Sequence, residues 1–353
     1  MELPSRNRVA VYYSNHDIRV STAALPAIGP GEALLRVHAS GICGSDVMEW
    51  YRQPRAPTVL GHEVAGSVIS IDGVADIRVG DRVVATHHVP CLECRYCKAG
   101  KETVCEMLRR TGFDPGGFAE YIRLPALNVQ RGILKLPEHV SDDAASVVEP
   151  LACVVRAQRK ARINPGEDVL IVGAGVSGDL HLLAAKAGGA GRVFMTDIRP
   201  ERRAIATKLG ADAVFDAADS VPQQVRQALG RGVDHVIVCT GAPDAIAVAL
   251  AAVDRGGTVL FFAPMEPCET YALPFNEVFW RNDVTLTSSY GAGLADMTQA
   301  LDLISSGRTD VSPLITHRIP LSEIGAGFEM MLCGKDSLKI IIDPRLDGQG
   351  ASG

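Results

Sequence analysis

Four cysteines within fifteen residues form the most specific chemical pattern in this sequence. Their spacing is Cys91-x2-Cys94-x2-Cys97-x7-Cys105. Four thiolates can close a tetrahedral zinc site that leaves no open position for a substrate. A redox CxxC pair or unrelated buried thiols are the alternatives, but four cysteines in one loop favour a metal. We therefore predict a structural Zn²⁺ on Cys91, Cys94, Cys97 and Cys105, remote from the chemistry.

A glycine-rich segment, Gly173-Ala174-Gly175-Val176-Ser177-Gly178, matches the GxGxxG pattern of dinucleotide-binding loops. It follows an apolar strand pattern and precedes a helical one, and Asp197 lies 19 residues beyond Gly178. Such glycines let the backbone approach a pyrophosphate at a helix N-terminus, and an acid at this distance accepts hydrogen bonds from the adenosine ribose. The pattern predicts NAD rather than NADP, bound by Gly173, Gly175, Val176, Ser177, Gly178 and Asp197.

Charged and polar residues lie around this loop. Arg199 and Arg202 are near Asp197 and weaken the preference for NAD, so NADP stays open. We also expect Arg202 and Thr240 among the cofactor-binding residues. Asp179 is in the first helical turn, where its charge would add to that of the pyrophosphate, so we expect its side chain to point to solvent.

The elements that must position these motifs differ along the chain. The first third has short β-type runs between turn signals, which indicates an antiparallel, barrel-like or sandwich-like domain. From near residue 150, six apolar strand cores alternate with helices, which is typical of a doubly wound parallel sheet. After about residue 288 come one amphipathic helix, with apolar residues at 297, 300, 301 and 304, and a last strand at 338–342.

Composition excludes several function classes. The net charge is −6 and aromatic residues make up 5% of the chain, which argues against a nucleic-acid partner. No apolar run approaches the ~18 residues of a membrane helix, and the N-terminus lacks the apolar core of a signal peptide. We therefore expect a cytoplasmic protein with no membrane partner, whose nine cysteines are not paired in disulfides.

Cys43, His62 and Glu149 are competent zinc ligands, but their spacing alone does not join them. The order of motifs along the chain is more informative: GICGSD, GHE, the four-cysteine loop, VEPLACV, GAGVSG and PLITHR. This order resembles the zinc-dependent medium-chain dehydrogenase/reductases over nearly the whole chain. Within them it is most similar to the sorbitol (polyol) and threonine dehydrogenase-like branch.

The resemblance implies an α/β fold in which a GroES-like, mostly-β catalytic domain (1–149 and 289–353) is interrupted by a Rossmann coenzyme domain (150–288). It implies a catalytic zinc on Cys43, His62 and Glu149, with Glu63 as an alternating or water-linked ligand. Which of Glu63 and Glu149 is the resting ligand stays open. The resemblance also implies that Asp46 orients His62, that Lys339 lies near the cofactor phosphates, and that the chain forms a homodimer or homotetramer.

Two departures from these relatives bear on the mechanism. Many of them have a histidine five residues after the zinc cysteine, as the end of a proton relay, where this chain has Met48. Sorbitol-oxidising relatives pair an arginine with a tyrosine after the last Rossmann strand, where this chain has Ser289-Tyr290. Ser45, two residues after Cys43, is close enough to relay the alcohol proton to a cofactor ribose or water, although it could instead cap the following turn.

The sequence thus predicts an oxidoreductase that transfers hydride between a secondary alcohol, on a polyol, sugar or cyclitol, and NAD. The predicted catalytic residues are Cys43, Ser45, His62 and Glu149. A threonine-type amino-alcohol dehydrogenase is the alternative within the enzymes. A non-catalytic binding protein on the same fold is a further alternative, disfavoured because all candidate ligands are present.

Overall fold

The computed structural model describes residues 4–73 and 76–348. The strands are β1 (Arg6–Ser14), β2 (Asp17–Ala24), β3 (Ala33–Gly41), β4 (Thr58–Val59), β5 (Glu63–Ile71), β6 (Arg82–Ala85), β7 (Tyr121–Leu124), β8 (Ile133–Lys135), β9 (Val169–Val172), β10 (Val193–Asp197), β11 (Ala213–Asp216), β12 (Val233–Val238), β13 (Val253–Phe261), β14 (Thr285–Ser288), β15 (Ile315–Ile319) and β16 (Lys339–Ile342). The α-helices are α1 (Glu49–Arg52), α2 (Arg95–Lys98), α3 (Glu106–Arg110), α4 (Ala126–Arg131), α5 (Asp142–Ser146), α6 (Val148–Ala161), α7 (Val176–Ala187), α8 (Pro200–Lys208), α9 (Val221–Leu229), α10 (Pro243–Ala252), α11 (Phe275–Val278), α12 (Leu294–Ser305) and α13 (Ile324–Cys333). Within the described ranges, no helix combines the length and the apolar character needed to cross a membrane.

The chain divides into two compact units. The first contains residues 1–152, 292–307 and 311–353, and the second contains residues 153–291 and 308–310. These divisions follow residues 152 and 291, and the domain borders at 149/150 and 288/289 stay a prediction from the sequence. The return of residues 308–310 to the second unit has no counterpart in the sequence prediction.

The first unit is mostly antiparallel β-structure. One sheet has the order β2-β1-β4, and a larger one has the order β15-β16-β3-β5-β6-β8, with β7 added on β3. The pairing of β3 with β5 places Gly41 opposite Glu63. Because Cys43 follows Gly41 by two residues and His62 precedes Glu63 by one, this register brings the two candidate zinc ligands to the same end of the sheet.

The second unit is a parallel sheet of the order β11-β10-β9-β12-β13-β14, covered by helices. This is the doubly wound arrangement, in which the order reverses at the first strand. β9 is buried throughout, because apolar residues pack on both of its faces. The glycine-rich loop follows β9 and Asp197 ends β10, so both lie at the carboxyl edge of neighbouring strands, where such sheets bind ligands. The fold class predicted from the sequence is confirmed.

Candidate active site and metal centres

Cys43 is held at a sharp turn that follows β3. It precedes the single 3-10 turn Gly44–Asp46, and its backbone N–H donates to Asp46 Oδ2 at 3.1 Å. Its Sγ accepts hydrogen bonds from the backbone N–H and the hydroxyl of Ser45, both at 3.4 Å. Donors that face a sulfur stabilise its thiolate form, which is the form that binds metals.

His62 reaches the same place through a glycine. Gly61 has a φ of +92°, and a Cβ there would lie 2.7 Å from the backbone nitrogen of Phe118, so no larger residue fits. Nδ1 of the His62 ring is 3.4 Å from Asp46 Oδ1. One ligand atom from each of Cys43, His62 and Glu63 lies within 4.8 Å of the others. Donors bound to a common zinc at about 2.0 to 2.3 Å would satisfy this condition.

The charges of this group suit a cation. Burial alone would lower the pKa of His62, but the negative charges of Asp46 and Cys43 hold that pKa well above its usual value. Burial would likewise raise the pKa of Asp46, but His62, Arg52 and the Cys43 N–H hold it below its usual value. The same negative charges that favour a proton on the imidazole also favour a divalent metal. The metal and the proton compete for the ring nitrogen.

Lys339 lies beside one of the candidate zinc ligands. Its ammonium is buried, at 2.6 and 2.9 Å from the two oxygens of Glu63, and it also donates to the Ile42 carbonyl at 3.1 Å. Only 2% of the side chain is exposed, and its role at the cofactor phosphates stays a prediction. Glu63 needs a buried counter-charge, which explains why a lysine lies on the last strand.

The two carboxylates that the sequence left as alternatives occupy different positions. Among the described residues, Glu63 belongs to the group whose ligand atoms lie within 4.8 Å, and Glu149 does not. Glu149, in the first turn of α6, is 7% exposed, and its charge raises the pKa of Lys339. Both carboxylates therefore lie around Lys339. Ligation by Glu63 would require it to give up part of its bond to Lys339.

Sequence reasoning missed three side chains beside this group. The rings of His87 and His88 stack with centroids 3.6 Å apart, and His87 lies 4.8 Å from the ring of His62. The sequence prediction made no use of them, although they follow β6, which pairs with β5 and thus passes close to His62. Arg52 donates to Ser45 Oγ at 2.9 Å and to Asp46 Oδ1 at 3.3 Å, and its distance along the chain carries no recognisable signal.

The four-cysteine loop forms a second donor group. The sulfurs of the three closest pairs are 3.6, 3.6 and 4.0 Å apart, and all four lie within 4.8 Å of one another as free thiols. Four sulfurs at about 2.3 Å from a zinc would be about 3.8 Å apart. Backbone N–H groups of Cys91, Glu93 and Cys94 point at these sulfurs. The residues present therefore fit a structural zinc.

The glycine-rich loop fits a dinucleotide. A Cβ at Gly178 would lie 1.9 Å from the carbonyl oxygen of Gly173, so the third glycine is needed for the loop to close on its helix. A Cβ at Gly175 would meet nothing within 4 Å, so protein packing does not require this glycine. Helix α7 begins directly after Gly175, at Val176 and Ser177, and among the described residues no side chain caps it. Open space at an uncapped helix N-terminus suits a pyrophosphate.

The other predicted cofactor residues surround this loop. Asp197 accepts hydrogen bonds from the backbone N–H groups of Ala174 and Arg199, each at 2.8 Å, and so ties the loop to the end of β10. Thr240 lies beside Gly173, since a Cβ on that glycine would be 3.5 Å from the Thr240 Cβ. Burial lowers the pKa of Arg202, and Asp197 is close enough for its negative charge to oppose that shift.

Asp179 does not point to solvent, and that expectation is wrong. The residue is 0% exposed, and neither carboxylate oxygen has a hydrogen-bond partner within the described part of the chain. Burial raises the pKa of Asp179 to about 8, against the opposing charge of Arg202. This carboxyl therefore keeps its proton at neutral pH.

Comparison with known proteins agrees with this geometry. Residues 29–138 match the family model of the alcohol dehydrogenase GroES-like domain, and residues 178–306 match that of zinc-binding dehydrogenases. An L-threonine 3-dehydrogenase of Rhizobium etli is 34% identical over 331 residues, which cover 90% of this chain and 93% of that protein. This chain belongs to the zinc-dependent medium-chain dehydrogenase family. It is an oxidoreductase of the zinc- and nicotinamide-dependent alcohol dehydrogenase type.

Solved structures of the same type match nearly the whole chain. The 2R,3R-butanediol dehydrogenase of Bacillus subtilis has a TM-score of 0.85 at 26% identity, over 96% of this chain and 99% of that one. A Sinorhizobium meliloti structure described as a zinc-binding dehydrogenase and bound to NADP also has a TM-score of 0.85 at 26% identity, over 97% and 100% of the two chains.

Proposed function

We propose that this chain oxidises a secondary alcohol to a ketone at a zinc held by Cys43, His62 and a carboxylate, with NAD as the hydride acceptor. The observation that carries the proposal is the convergence of Cys43, His62 and Glu63 donor atoms within 4.8 Å, with Asp46 behind the imidazole. When bound, the zinc acts as a Lewis acid that lowers the pKa of the substrate hydroxyl.

The residues of the chain have distinct roles in this proposal. Asp46 fixes the ring of His62, so that its other nitrogen faces the ligand group. Lys339 neutralises Glu63 and competes with a metal for its oxygens, so Glu149 is the proposed third protein ligand at rest. Glu63 would then ligate only as an alternating or water-linked group.

Ser45 is the proposed acceptor of the alcohol proton. Its hydroxyl lies 3.4 Å from Cys43 Sγ and accepts a hydrogen bond from Arg52 at 2.9 Å. Since Met48 replaces the usual histidine, the proton leaves Ser45 for a cofactor ribose hydroxyl or water. Ser45→Ala should lower kcat by about 10²-fold or more, as loss of an acid–base group does, with unchanged zinc content. Activity near that of the wild type would contradict the relay.

NAD is the proposed cofactor, bound by the GxGxxG loop, Asp197 and Thr240. Asp197 places negative charge where a 2′-phosphate would lie, whereas Arg202 nearby opposes that effect. Titration of the apoprotein with NADH and NADPH, followed by nicotinamide fluorescence, tests the preference. Tighter binding of NADPH would contradict it.

The proposed substrates are polyols, sugars or cyclitols with a secondary hydroxyl. A second candidate is a threonine-type amino alcohol, which the identity of 34% to L-threonine 3-dehydrogenase favours. Initial rates of the zinc-loaded protein at saturating NAD, with a panel of polyols, sugars, cyclitols, L-threonine and simple alcohols, separate the two. Full zinc loading without NAD reduction on any alcohol would favour a non-catalytic binding protein.

We also propose a cytoplasmic homodimer or homotetramer. The last strand of the second unit's sheet, β14, has a neighbour on one side only, and Phe275 and Trp280 are 68% and 70% exposed. Open strand edges and exposed aromatic side chains favour association. Light scattering coupled to size-exclusion chromatography tests this, and a monomer at all concentrations would contradict it.

A further inference from the structure

The guanidinium of Arg52 donates hydrogen bonds to the protein from Nε and Nη2, which form one of its edges. Nε donates to the Ser45 carbonyl at 2.9 Å, and Nη2 donates to Ser45 Oγ at 2.9 Å and to Asp46 Oδ1 at 3.3 Å. By contrast, Nη1 has no hydrogen-bond partner among residues 4–73 and 76–348. One edge of the guanidinium is therefore fixed, while the N–H groups of Nη1 are left for a ligand.

The orientation of Arg52 is set before any ligand arrives. Besides its three hydrogen bonds, it stacks over the ring of Tyr51 at 4.7 Å, and its side chain is only 12% exposed. A long side chain normally loses rotamer freedom when it binds, which opposes the interaction. An arginine that is already held in place avoids most of that loss, and it stays charged at every relevant pH.

The side chain of Ser45 connects Arg52 to the candidate metal ligand Cys43. Ser45 Oγ is 2.9 Å from Arg52 Nη2 and 3.4 Å from Cys43 Sγ. The guanidinium is therefore near enough to Cys43 that a substituent next to a hydroxyl bound beside Cys43 and His62 could reach it. An anionic substituent on a neighbouring carbon is the natural partner for that free edge.

The surrounding charges favour an anion. A second guanidinium, that of Arg55, lies 5.0 Å from the centroid of the Tyr51 ring, on which Arg52 also stacks. Asp46 is already engaged by His62, by Arg52 and by the Cys43 N–H, so it does not cancel both cations.

We propose that the free Nη1 edge of Arg52 binds a substrate carboxylate, so that this chain prefers hydroxy acids to neutral alcohols of the same skeleton. A β-hydroxy amino acid and an aldonic acid both carry this group. The inference rests on the proposed secondary-alcohol dehydrogenase function and narrows its substrate class. A hydrogen bond between charged groups contributes about 1.5 to 3 kcal/mol, which corresponds to a roughly 10- to 150-fold preference.

Two pairs of compounds test this preference in the zinc-loaded protein at saturating NAD. L-threonine is compared with L-threoninol, and D-gluconate with D-sorbitol, because each pair differs only by a carboxylate in place of a hydroxymethyl group. The measured quantity is the ratio of kcat/KM for the acid to that for the neutral alcohol. A substitution that lowers activity in general, through Ser45 or Asp46, lowers both kcat/KM values by the same factor and leaves their ratio unchanged.

Three variants accompany the wild type. In at least one pair, the wild type should prefer the acid by 10-fold or more. Arg52→Met should bring that ratio close to one, and Arg52→Lys should retain part of it because the charge remains. Arg55→Met is the matched control, since it removes an equal charge from the same tyrosine ring, and it should change the ratio less than threefold.

Each outcome decides a separate point. Oxidation of neutral alcohols in preference to their acids by the wild type would overturn the inference and leave the proposed function intact. An acid preference that Arg52→Met leaves unchanged would also overturn the inference and leave the proposed function intact. Failure to oxidise any of the four compounds would overturn this substrate class, and the wider panel would then decide the proposed function.

Discussion

Replacement of Asp179 by asparagine should make the protein more stable at neutral pH, by an amount that depends on pH. The wild-type carboxyl is fully buried without a hydrogen-bond partner in the described part of the chain, and its pKa is raised to about 8. In the unfolded chain an aspartate has a pKa of about 3.9. Between these two values the folded state holds a proton that the unfolded state has released.

The sign and size of the effect follow from this difference. The free energy of unfolding must fall as pH rises through the window from about 4 to about 8, by about 1.4 kcal/mol per pH unit from this group. Between pH 5 and pH 7 the free energy of unfolding of the wild type should therefore fall by about 2 to 3 kcal/mol relative to that of Asp179→Asn. Above pH 8 the gap should level off, because both states are then ionised.

Urea unfolding of the apoprotein, followed by circular dichroism at pH 5, 6, 7 and 9, measures this gap. Any fixed cost of burying the asparagine amide is the same at each pH and cancels in the comparison. The matched control is Asp219→Asn, which removes an exposed carboxylate from the same unit and should give a pH profile parallel to that of the wild type. A parallel profile for Asp179→Asn as well would refute the reasoning.

Three further predictions concern the metal loop, the buried ion pair and the glycine loop. Cys105→Ser should reduce bound zinc by one ion per chain and lower the thermal midpoint by several degrees, and an unchanged zinc content would contradict the structural site. Lys339→Met should destabilise the protein by about 3 to 5 kcal/mol, since it leaves Glu63 buried without its counter-charge. Adding Glu63→Gln should recover much of this loss in urea unfolding, and an additive double variant would argue against the pair. Gly175→Ala should weaken NADH binding while leaving the thermal midpoint unchanged, because its Cβ would enter open space. Gly178→Ala should lower the midpoint too, because its Cβ would clash with a backbone oxygen, and equal midpoints for the two variants would contradict this distinction.

The features that could be predicted from the sequence are those whose residues lie close together along the chain. The four-cysteine loop lies within fifteen residues, and the GxGxxG loop with Asp197 spans one strand–helix–strand unit. The apolar strand cores also identify the parallel sheet, because a strand buried on both faces is apolar throughout. The first half of β13, which begins at Val253, is harder to recognise because Gly256 and Gly257 interrupt its apolar pattern.

The remaining features depend on contacts between distant segments. Cys43 and His62 meet through the register of β3 with β5, which spacing does not reveal, so only the family resemblance joined them. The ion pair of Lys339 with Glu63 was not predicted, because the two residues are 276 positions apart in the sequence. The burial of Asp179 and the contact of the His87 ring with that of His62 are likewise set by packing. These are the positions where a polar side chain occupies an environment that its residue type does not predict.

The most direct test of the catalytic centre is anomalous X-ray diffraction at the zinc absorption edge, from crystals of the zinc-loaded protein. The account predicts two peaks per chain. One should lie within bonding distance of Cys91, Cys94, Cys97 and Cys105, and the other within bonding distance of Cys43 Sγ and a ring nitrogen of His62. A single peak at the four-cysteine loop, or a second peak bound to other residues, would contradict it.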